Sequence, residues 1–440
     1  MKLEGWGRYP SKDCRVETPT NELEISKFLS QGAVIARGNG RSYGDSSLNV
    51  SLTLSMERFN CLLEFDSRSG LLVLESGVRL ETVLKTFLPL GWFPPVSPGT
   101  KFVTIGGMVA ADVHGKNHHH AGTFGNFICW LDIVVADGTI KRCSASENPE
   151  LFKSTIGGMG LTGVIVRVAF YLQRVESGWI KQETVVARDL KETMDAFEAS
   201  FDWTYTVAWI DCLSRGSKLG RSLLFRGEHA KISELGESEK LHPSCFKHTK
   251  RLKIGFDLPA SILNRHFVKV FNWLYYKKNS FGKMSGLVEW EKFFYPLDRI
   301  TDWNRLYGKN GFIQFQCVLP LEHSYEGISE LLEVTSDRGV ASFLAVLKLF
   351  GPQDFPYSFP MRGYTLAMDF PANKKTFEVL EKLDEITLRN GGRFYLAKDS
   401  RLDDHTFAVS DPRFLKFNCY RKKVGAFERF QSEQSKRLQL

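Results

Sequence analysis

The stretch AVIARGNGRSYGD, Ala33 to Asp45, constrains the chain most: an apolar run feeds a loop holding three glycines, two arginines and a Ser-Tyr pair. A backbone of that composition is shaped to approach something anionic. The dinucleotide fingerprint G-x-G-x-x-G would need a third glycine where Tyr43 stands, and a helix after it. The next segment is instead SLNVSLTLSM, Ser47 to Met56, which mixes β-branched, Leu and Ser residues in rough alternation and predicts a strand. A Rossmann domain is therefore disfavoured, and the absence of any Gly-Lys-Ser/Thr sequence excludes a Walker loop. Two readings stand: a strand–loop–strand nest whose successive N–H groups hold phosphates, and a tight turn between strands.

The chain has 440 residues, 43% hydrophobic and 25% charged, enough to bury cores in two or three domains. Its formal charge of +8 suits an anionic ligand or surface without calling for nucleic acid. The eight cysteines (Cys14, Cys61, Cys129, Cys143, Cys212, Cys245, Cys317, Cys419) form no C-x-x-C pair, so neither a zinc ribbon nor a thioredoxin-like site is indicated and reduced thiols are expected. MKLEGWGRYPSKDC carries no apolar signal-like segment, and no run of 18 apolar residues exists, which argues against a standard signal peptide and a membrane span. A cytoplasmic or membrane-associated location is expected, with the periplasmic face left open.

Texture divides the chain. Residues 1–176 are glycine-rich with short β-branched runs (LLVLESGV, WLDIVVADGTI, GVIVRVAFYL) and the helix-like ENPELFKSTIG. From 177 to 393 glycines thin and aromatics rise, with strand-like FIQFQCVLP and FLAVLKLFG beside helix-like LEHSYEGISELLEVTSDRG and NKKTFEVLEKLDEITLRNGG. Residues 394–440 end in a basic tail read as helix and turn. The class is α+β.

A second loop, VSPGTKFVTIGGMVAADVHGKNHHHAGTFGNF (Val96 to Phe127), holds His114, His118, His119 and His120. Metal sites draw such ligands from spaced positions with carboxylates or thiols nearby, whereas glycines surround these, so no metal is expected. The pairs Gly106-Gly107 and Gly157-Gly158, with Gly160 and Gly163, suggest a flat ligand pressed against backbone.

Together GWGRYP, ARGNGRSYGD, the PGT…TIGGMVAADVHGKNHHHAGTFGN block, ELFKSTIGGMGLTGVI, KLGRSLLFRGE, YPLDRITDWNRLYG, FPMRGYTLAMDFP, AKDSR and RKKV run in one order over essentially the whole chain. They resemble the vanillyl-alcohol-oxidase type of FAD-linked oxidoreductase, and within it the decaprenylphosphoryl-β-D-ribose 2-oxidases. The resemblance implies a two-part PCMH-type FAD-binding domain at 1–176, to which 394–440 returns, and a substrate domain at 177–393 with a mixed or antiparallel sheet and flanking helices. It places cofactor contacts at Ala36, Arg37, Gly38, Asn39, Gly40, Arg41, Ser42, Tyr43 and Gly44, and at Pro98, Gly99, Thr100, Thr104, Ile105, Gly106 and Gly107. Further contacts fall on Ala111, Asp112, Val113, His114, Gly115, Asn117, Gly122, Gly160, Ile165, Tyr395 and Lys398. The two glycine loops are implied to cradle the FAD pyrophosphate through backbone N–H groups, with Ala111 to His114 along the flavin.

Relatives in the wider superfamily carry R-G-G-G-H-S-Y-G, whose His bonds covalently to the flavin. Here Arg41 takes that place. A permanently protonated guanidinium is not a competent nucleophile near neutral pH, so noncovalent FAD is expected. The implied reaction removes two hydrogens from a sugar secondary alcohol. Lys398 matches the lysine at the flavin edge, where an ammonium favours the reduced anionic flavin; His114 is its catalytic neighbour, and Tyr295, Gln316 and Lys348 match the substrate pocket.

Phe246 to Lys283 holds nine basic residues (Lys247, Lys250, Arg251, Lys253, Arg265, Lys269, Lys277, Lys278, Lys283) against Asp257 alone. Within it ILNRHFVKVFNWLYYKK interleaves aromatic and basic residues, as an interfacial segment does and as an amphipathic helix packed on a core also does. A lipid-linked sugar phosphate, peripheral membrane contact and a separate NAD(P)H-dependent keto-reductase are the implied partners. Alternatives are a sugar or alditol oxidase acting on a soluble substrate, and a basic scaffold without catalysis.

Overall fold

The computed structural model describes residues 1–244, 252–258, 265–282, 284–340, 342 and 344–440. Of the expected basic segment, Phe246, Lys247, Lys250, Arg251 and Lys283 lie outside the described residues, as does Cys245.

The glycine loop comes after the strand Ile35–Arg37, which pairs in parallel with Thr53–Ser55; that strand pairs in parallel with Val16–Glu17. A parallel pair needs a crossover, which a tight turn cannot provide. The predicted strand over Ser47 to Met56 therefore shrinks to Thr53–Ser55. Local side-chain bonds displace the ladder before it: Thr53 Oγ1 accepts from Asn49 N–H at 3.0 Å, and Asn49 Nδ2 donates to Gln431 O at 2.6 Å.

The next sheet is five-stranded and antiparallel, in the order Ile140–Ser144, Ile128–Val134, Val164–Tyr171, Leu71–Glu75, Leu62–Phe65. Val164–Tyr171 shows why its sequence is apolar almost throughout. Val164 and Val166 enter one core with Ile25, Val34 and Leu54, while Ile165, Val168 and Phe170 enter the main core. A register shift between Ile165 and Arg167 changes which parity faces which side.

The aromatic middle of the chain builds an eight-stranded sheet, antiparallel at every pair, ordered Ser285–Glu289, Trp179–Ala187, Ser222–His229, Tyr205–Ile210, Ala345–Phe350, Gly363–Pro371, Phe312–Pro320, Arg393–Phe394. The expectation of a mixed or antiparallel sheet thus resolves to antiparallel. Helices Leu190–Glu198, Ser324–Arg338 and Lys374–Arg389 cover one face. The last is N-capped by Asn373 and buries Val379, Leu380, Leu383 and Ile386 at helical spacing. The opposite face is left for a cavity.

After Phe394 the chain packs against the first sheet. Val34 N–H donates to Arg429 O at 2.8 Å, Gln431 N–H donates to Val34 O at 3.0 Å, and Phe430 is buried among Ile25, Val34 and Leu54. Among the described residues no helix is long and apolar enough to cross a membrane.

Candidate active site

The two glycine loops touch. A Cβ on Gly38 would lie 2.1 Å from Thr104 Oγ1, so only glycine lets the first loop rest on the second, and Asn39 Nδ2 ties them by donating to Phe102 O at 2.8 Å. Gly40 takes φ +60°, and a Cβ there would meet the Arg37 guanidinium at 2.2 Å. The backbone N–H groups of Asn39, Gly40, Arg41 and Ser42 find no protein acceptor among the described residues. The Arg41 guanidinium lies 4.3 Å from the centre of the Trp6 ring and 5.2 Å from that of Phe102, with no hydrogen-bond partner for its buried Nε among the described residues. The second loop differs. Thr104 caps the helix Ile105–Ala110 through Gly107 N–H, while Ile105 and Gly106 N–H donate to Val78 O and Ser76 O at 2.9 and 2.7 Å. It supplies a surface free of Cβ atoms more than it supplies donors: a Cβ on Gly99 meets nothing within 4 Å, and one on Gly107 meets only Thr104 Oγ1 at 3.1 Å.

Both loops open on a cavity of about 590 Å³ that continues under the eight-stranded sheet. Of the sequence-predicted residues, Ala36, Gly38, Asn39, Gly40, Arg41, Ser42 and Tyr43 line it from the first loop. Pro98, Gly99, Thr100, Thr104, Gly106, Gly107, Ala111, Val113 and His114 line it from the second. Gly160, Ile165, Tyr395 and Lys398 join them, with Gln316 and Lys348 from the sheet.

Eight others stand behind the wall. Arg37 donates to Glu4 O at 2.7 Å, away from the cavity. Gly44 is a contact point, its missing Cβ 2.0 Å from Asp399 O, and Ile105 is core. Asp112 is fully buried, accepting from Gly125 N–H at 2.8 Å, from Gln353 Nε2 at 3.1 Å and from the Ser358 hydroxyl; burial raises its carboxyl to about 6 against those bonds. Gly115 would carry a Cβ 2.6 Å from Asn117 Oδ1, Asn117 donates to Pro95 O at 2.8 Å, and Gly122 has φ +68° beside Asn126. Tyr295 is buried with its hydroxyl on Ser97 Oγ. The remaining histidines dock the loop onto turns at the strand ends of the eight-stranded sheet: His118 Nδ1 accepts from Gly351 N–H at 3.2 Å, and His119 and His120 meet Trp203 O and Phe201 O at 2.9 and 2.6 Å.

The charged groups cluster against the sheet. Lys398 Nζ lies 3.8 Å from the centre of the Tyr43 ring. Burial lowers this lysine below its ordinary value and Asp369 pulls it back; burial raises Asp369, opposed by the Gln314 amide that donates to it. Burial brings Lys348 down to about 8 and, reinforced by Lys348, brings Lys116 to about 7. Lys116 donates to Phe293 O with its ammonium 4.3 Å from the centre of that ring. His114 is held neutral, its pKa pressed well below the ordinary value by burial and then by Lys348. With the proton on Nδ1, Nε2 accepts from Gln316 Nε2 at 3.3 Å and the buried Nδ1–H has no protein partner among the described residues. Tyr395 stacks on Phe359 and donates to Ala111 O at 3.1 Å.

Sequence reasoning missed Gln314, Asp369 and Lys116. Period two gives a signal for the first two, since Gln314 shares a strand face with Gln316, and Asp369 with Thr365 and Ala367. Lys116, inside GKNHHH, had none beyond its place in the loop.

Known proteins agree with this geometry. Residues 15–144 match the model of an FAD binding domain. The chain is 36% identical to decaprenylphosphoryl-β-D-ribose oxidase of Mycolicibacterium smegmatis, over 100% of its own length and 97% of that protein's. It belongs to that family of FAD-dependent oxidoreductases. An uncharacterised protein of Streptomyces coelicolor is 30% identical over 82% of this chain and 100% of its own length. L-gulonolactone oxidase of Bos taurus is 27% identical over 45% of the chain and 46% of its own. The family's cofactor is FAD, and the residues present fit it: four N–H groups without a protein acceptor among the described residues and the Arg41 guanidinium would serve an anion at the first loop, while Gly99, Gly107 and Gly160 leave room for a flat group. Bound FAD supplies the two-electron acceptor. The chain's own part is the group of Lys398, Lys348 and Lys116 that lines the same cavity.

Proposed function

We propose that the chain oxidises the C2 hydroxyl of a polyprenylphosphoryl pentose, of the decaprenylphosphoryl-ribose kind, to the 2-keto sugar. A separate NAD(P)H-dependent reductase then completes the epimerisation to arabinose for cell-envelope glycan. The observation that carries the substrate class is the course of the cavity. From Lys398, Gln316 and Lys348 the lining continues along one sheet face through Val346, Val207, Phe225 and Trp209 to Tyr275, a mainly apolar stretch that also carries Gln182 and Lys292. Tyr275 packs on Trp209 at 4.8 Å and belongs to the helix Arg265–Ser280. That helix exposes Val270, Trp273 and Leu274 beside Lys269, Lys277 and Lys278. A sugar headgroup at the polar end and a polyprenyl chain leaving past an apolar, basic helix suit this shape, and the helix suits peripheral contact with an anionic membrane.

In this reading the cofactor is held without a covalent bond, since Arg41 offers no nucleophile. The His114 imidazole and the Gln316 amide, which both line the cavity, orient the sugar hydroxyls. Because burial lowers Lys398, its free amine can take the hydroxyl proton, and Asp369 stabilises the ammonium that results. That ammonium then balances negative charge left on the cofactor.

Anaerobic mixing with polyprenylphosphoryl ribose should bleach the flavin absorbance within a turnover, while a soluble aldose or alditol run beside it should not. Bleaching by the soluble sugar alone would replace the lipid-linked substrate with a soluble one.

A further inference from the structure

Lys398 sits in a turn whose anchors come from distant parts of the chain. Its neighbour Asp399 and Asp45, which ends the first glycine loop, are both buried, at 7% and 3% exposure, and repel one another. Between them lies Arg437 of the helix Glu433–Leu438. Its Nη2 donates to Asp45 Oδ1 at 2.7 Å and to Asp399 Oδ2 at 2.9 Å, Nε donates to Asp45 Oδ2 at 3.3 Å, and Nη1 donates to Leu402 O. From the same helix Gln434 Nε2 donates to Leu396 O at 2.8 Å and to Asp399 Oδ2 at 3.1 Å. The glycine loop and the Lys398 turn also meet directly: Tyr43 N–H donates to Ala397 O at 3.0 Å. Residues close in sequence to the two carboxylates therefore form the contact that matters at the cavity, the Lys398 ammonium over the Tyr43 ring.

We infer that Arg437 is the positioning residue that fixes Lys398 over Tyr43 and beside the first glycine loop, acting through Asp399 and Asp45. It lines no part of the cavity itself. A planar guanidinium fork can serve two carboxylates at once, which an ammonium on a flexible stem cannot do with the same geometry. Without it two buried carboxylates face each other, and the turn and the loop move apart.

The inference rests on the proposed place of Lys398 beside the flavin, so its test uses one readout that needs no sugar. Arg437→Gln, Arg437→Lys and Lys398→Met holoenzymes are compared by anaerobic flavin reduction with polyprenylphosphoryl ribose and by the flavin midpoint potential from mediator titration, in excess FAD wherever a variant loses it. At full occupancy Arg437→Gln should be reduced about 10- to 100-fold more slowly, the range expected when a reacting group is displaced by roughly 1 Å, with little change in the half-saturating substrate concentration. Its potential should fall toward that of Lys398→Met, and Arg437→Lys should recover part of both. Wild-type rate and potential in Arg437→Gln, with Lys398→Met impaired, would overturn the inference. Wild-type values in Lys398→Met would instead overturn the placement of Lys398. A variant that is slow in proportion to lost FAD, with its potential unmoved once reconstituted, would make Arg437 a stability residue and likewise overturn the inference.

Discussion

Lys398→Met keeps most of the side-chain volume and removes the charge and all three donors. Lys398 lines the cavity with Nζ 3.8 Å from the centre of the Tyr43 ring, and the ammonium it forms on taking the hydroxyl proton has Asp369 as its counter-charge. A unit charge about 4–6 Å from charge developing on the cofactor, at an effective dielectric of about 20, contributes roughly 3–4 kcal/mol. At about 1.4 kcal/mol per tenfold that is on the order of 100- to 1,000-fold in rate, the size of losing one oxyanion-type donor. The variant also deprives Asp369 of the electrostatic support that Lys398 gives it, so that carboxyl is raised further. FAD should remain bound, because the unpaired N–H groups belong to the first loop and not to this lysine. The assay is stopped-flow absorbance under anaerobic conditions with saturating polyprenylphosphoryl ribose. His114→Ala is the comparison: loss of one neutral donor costs about 1 kcal/mol and so less than about tenfold. A normal bleaching rate at full FAD occupancy in Lys398→Met would refute the reasoning, and a defect in His114→Ala larger than that in Lys398→Met would reassign the chemistry to the imidazole.

Acid precipitation should release all the yellow colour into the supernatant, since Arg41 cannot bond to the flavin; fluorescence remaining on the denatured band would contradict this. Replacing Lys277 and Lys278 by Glu should weaken co-sedimentation with anionic vesicles by at least about tenfold, each cation near such a surface being worth about 1 kcal/mol, and salt should weaken the wild type likewise. Unchanged sedimentation in both tests would return the helix Arg265–Ser280 to a purely structural role. Asp112, raised in the fold from its ordinary 3.8 to about 6, favours the protonated folded state, so its stabilising effect is full below about pH 4 and is lost as pH rises through 6. The loss amounts to about 3 kcal/mol. Asp112→Asn should therefore flatten the difference in unfolding free energy between pH 4 and 7 relative to wild type; parallel curves would show that this carboxyl does not titrate in that window.

Much of the site was legible because its chemistry is local. Glycines at Gly38, Gly40, Gly106 and Gly107 announce a backbone-lined pocket, and each is explained by a close approach or an open face. What the sequence could not display was direction. Arg37 and Arg41 look equivalent in ARGNGRSYGD, yet one turns back to Glu4 O while the other faces the cavity beside Trp6, a choice made by the N-terminal segment and not by the loop itself. The strand expected over Ser47 to Met56 was shortened to Thr53–Ser55 for a similar reason, since Asn49 bonds to Gln431 from the far end of the chain. Asp369 and Arg437 become meaningful only through partners brought in by the sheet and by the returning tail.

The Asp112 carboxylate has a consequence for how this protein can be rebuilt. It belongs to the loop that presents His114, but two of its hydrogen-bond donors, Gln353 and Ser358, come from the connection between the strands Ala345–Phe350 and Gly363–Pro371. Grafting another enzyme's eight-stranded sheet onto the glycine-loop part of this chain would strand a buried acid unless those two donors travelled with it or Asp112 were changed as well. A chimera made to alter this sheet would therefore cross over inside strands Ala345–Phe350 and Gly363–Pro371, keeping residues 351–362 with the loop they serve, or would change Asp112 along with them.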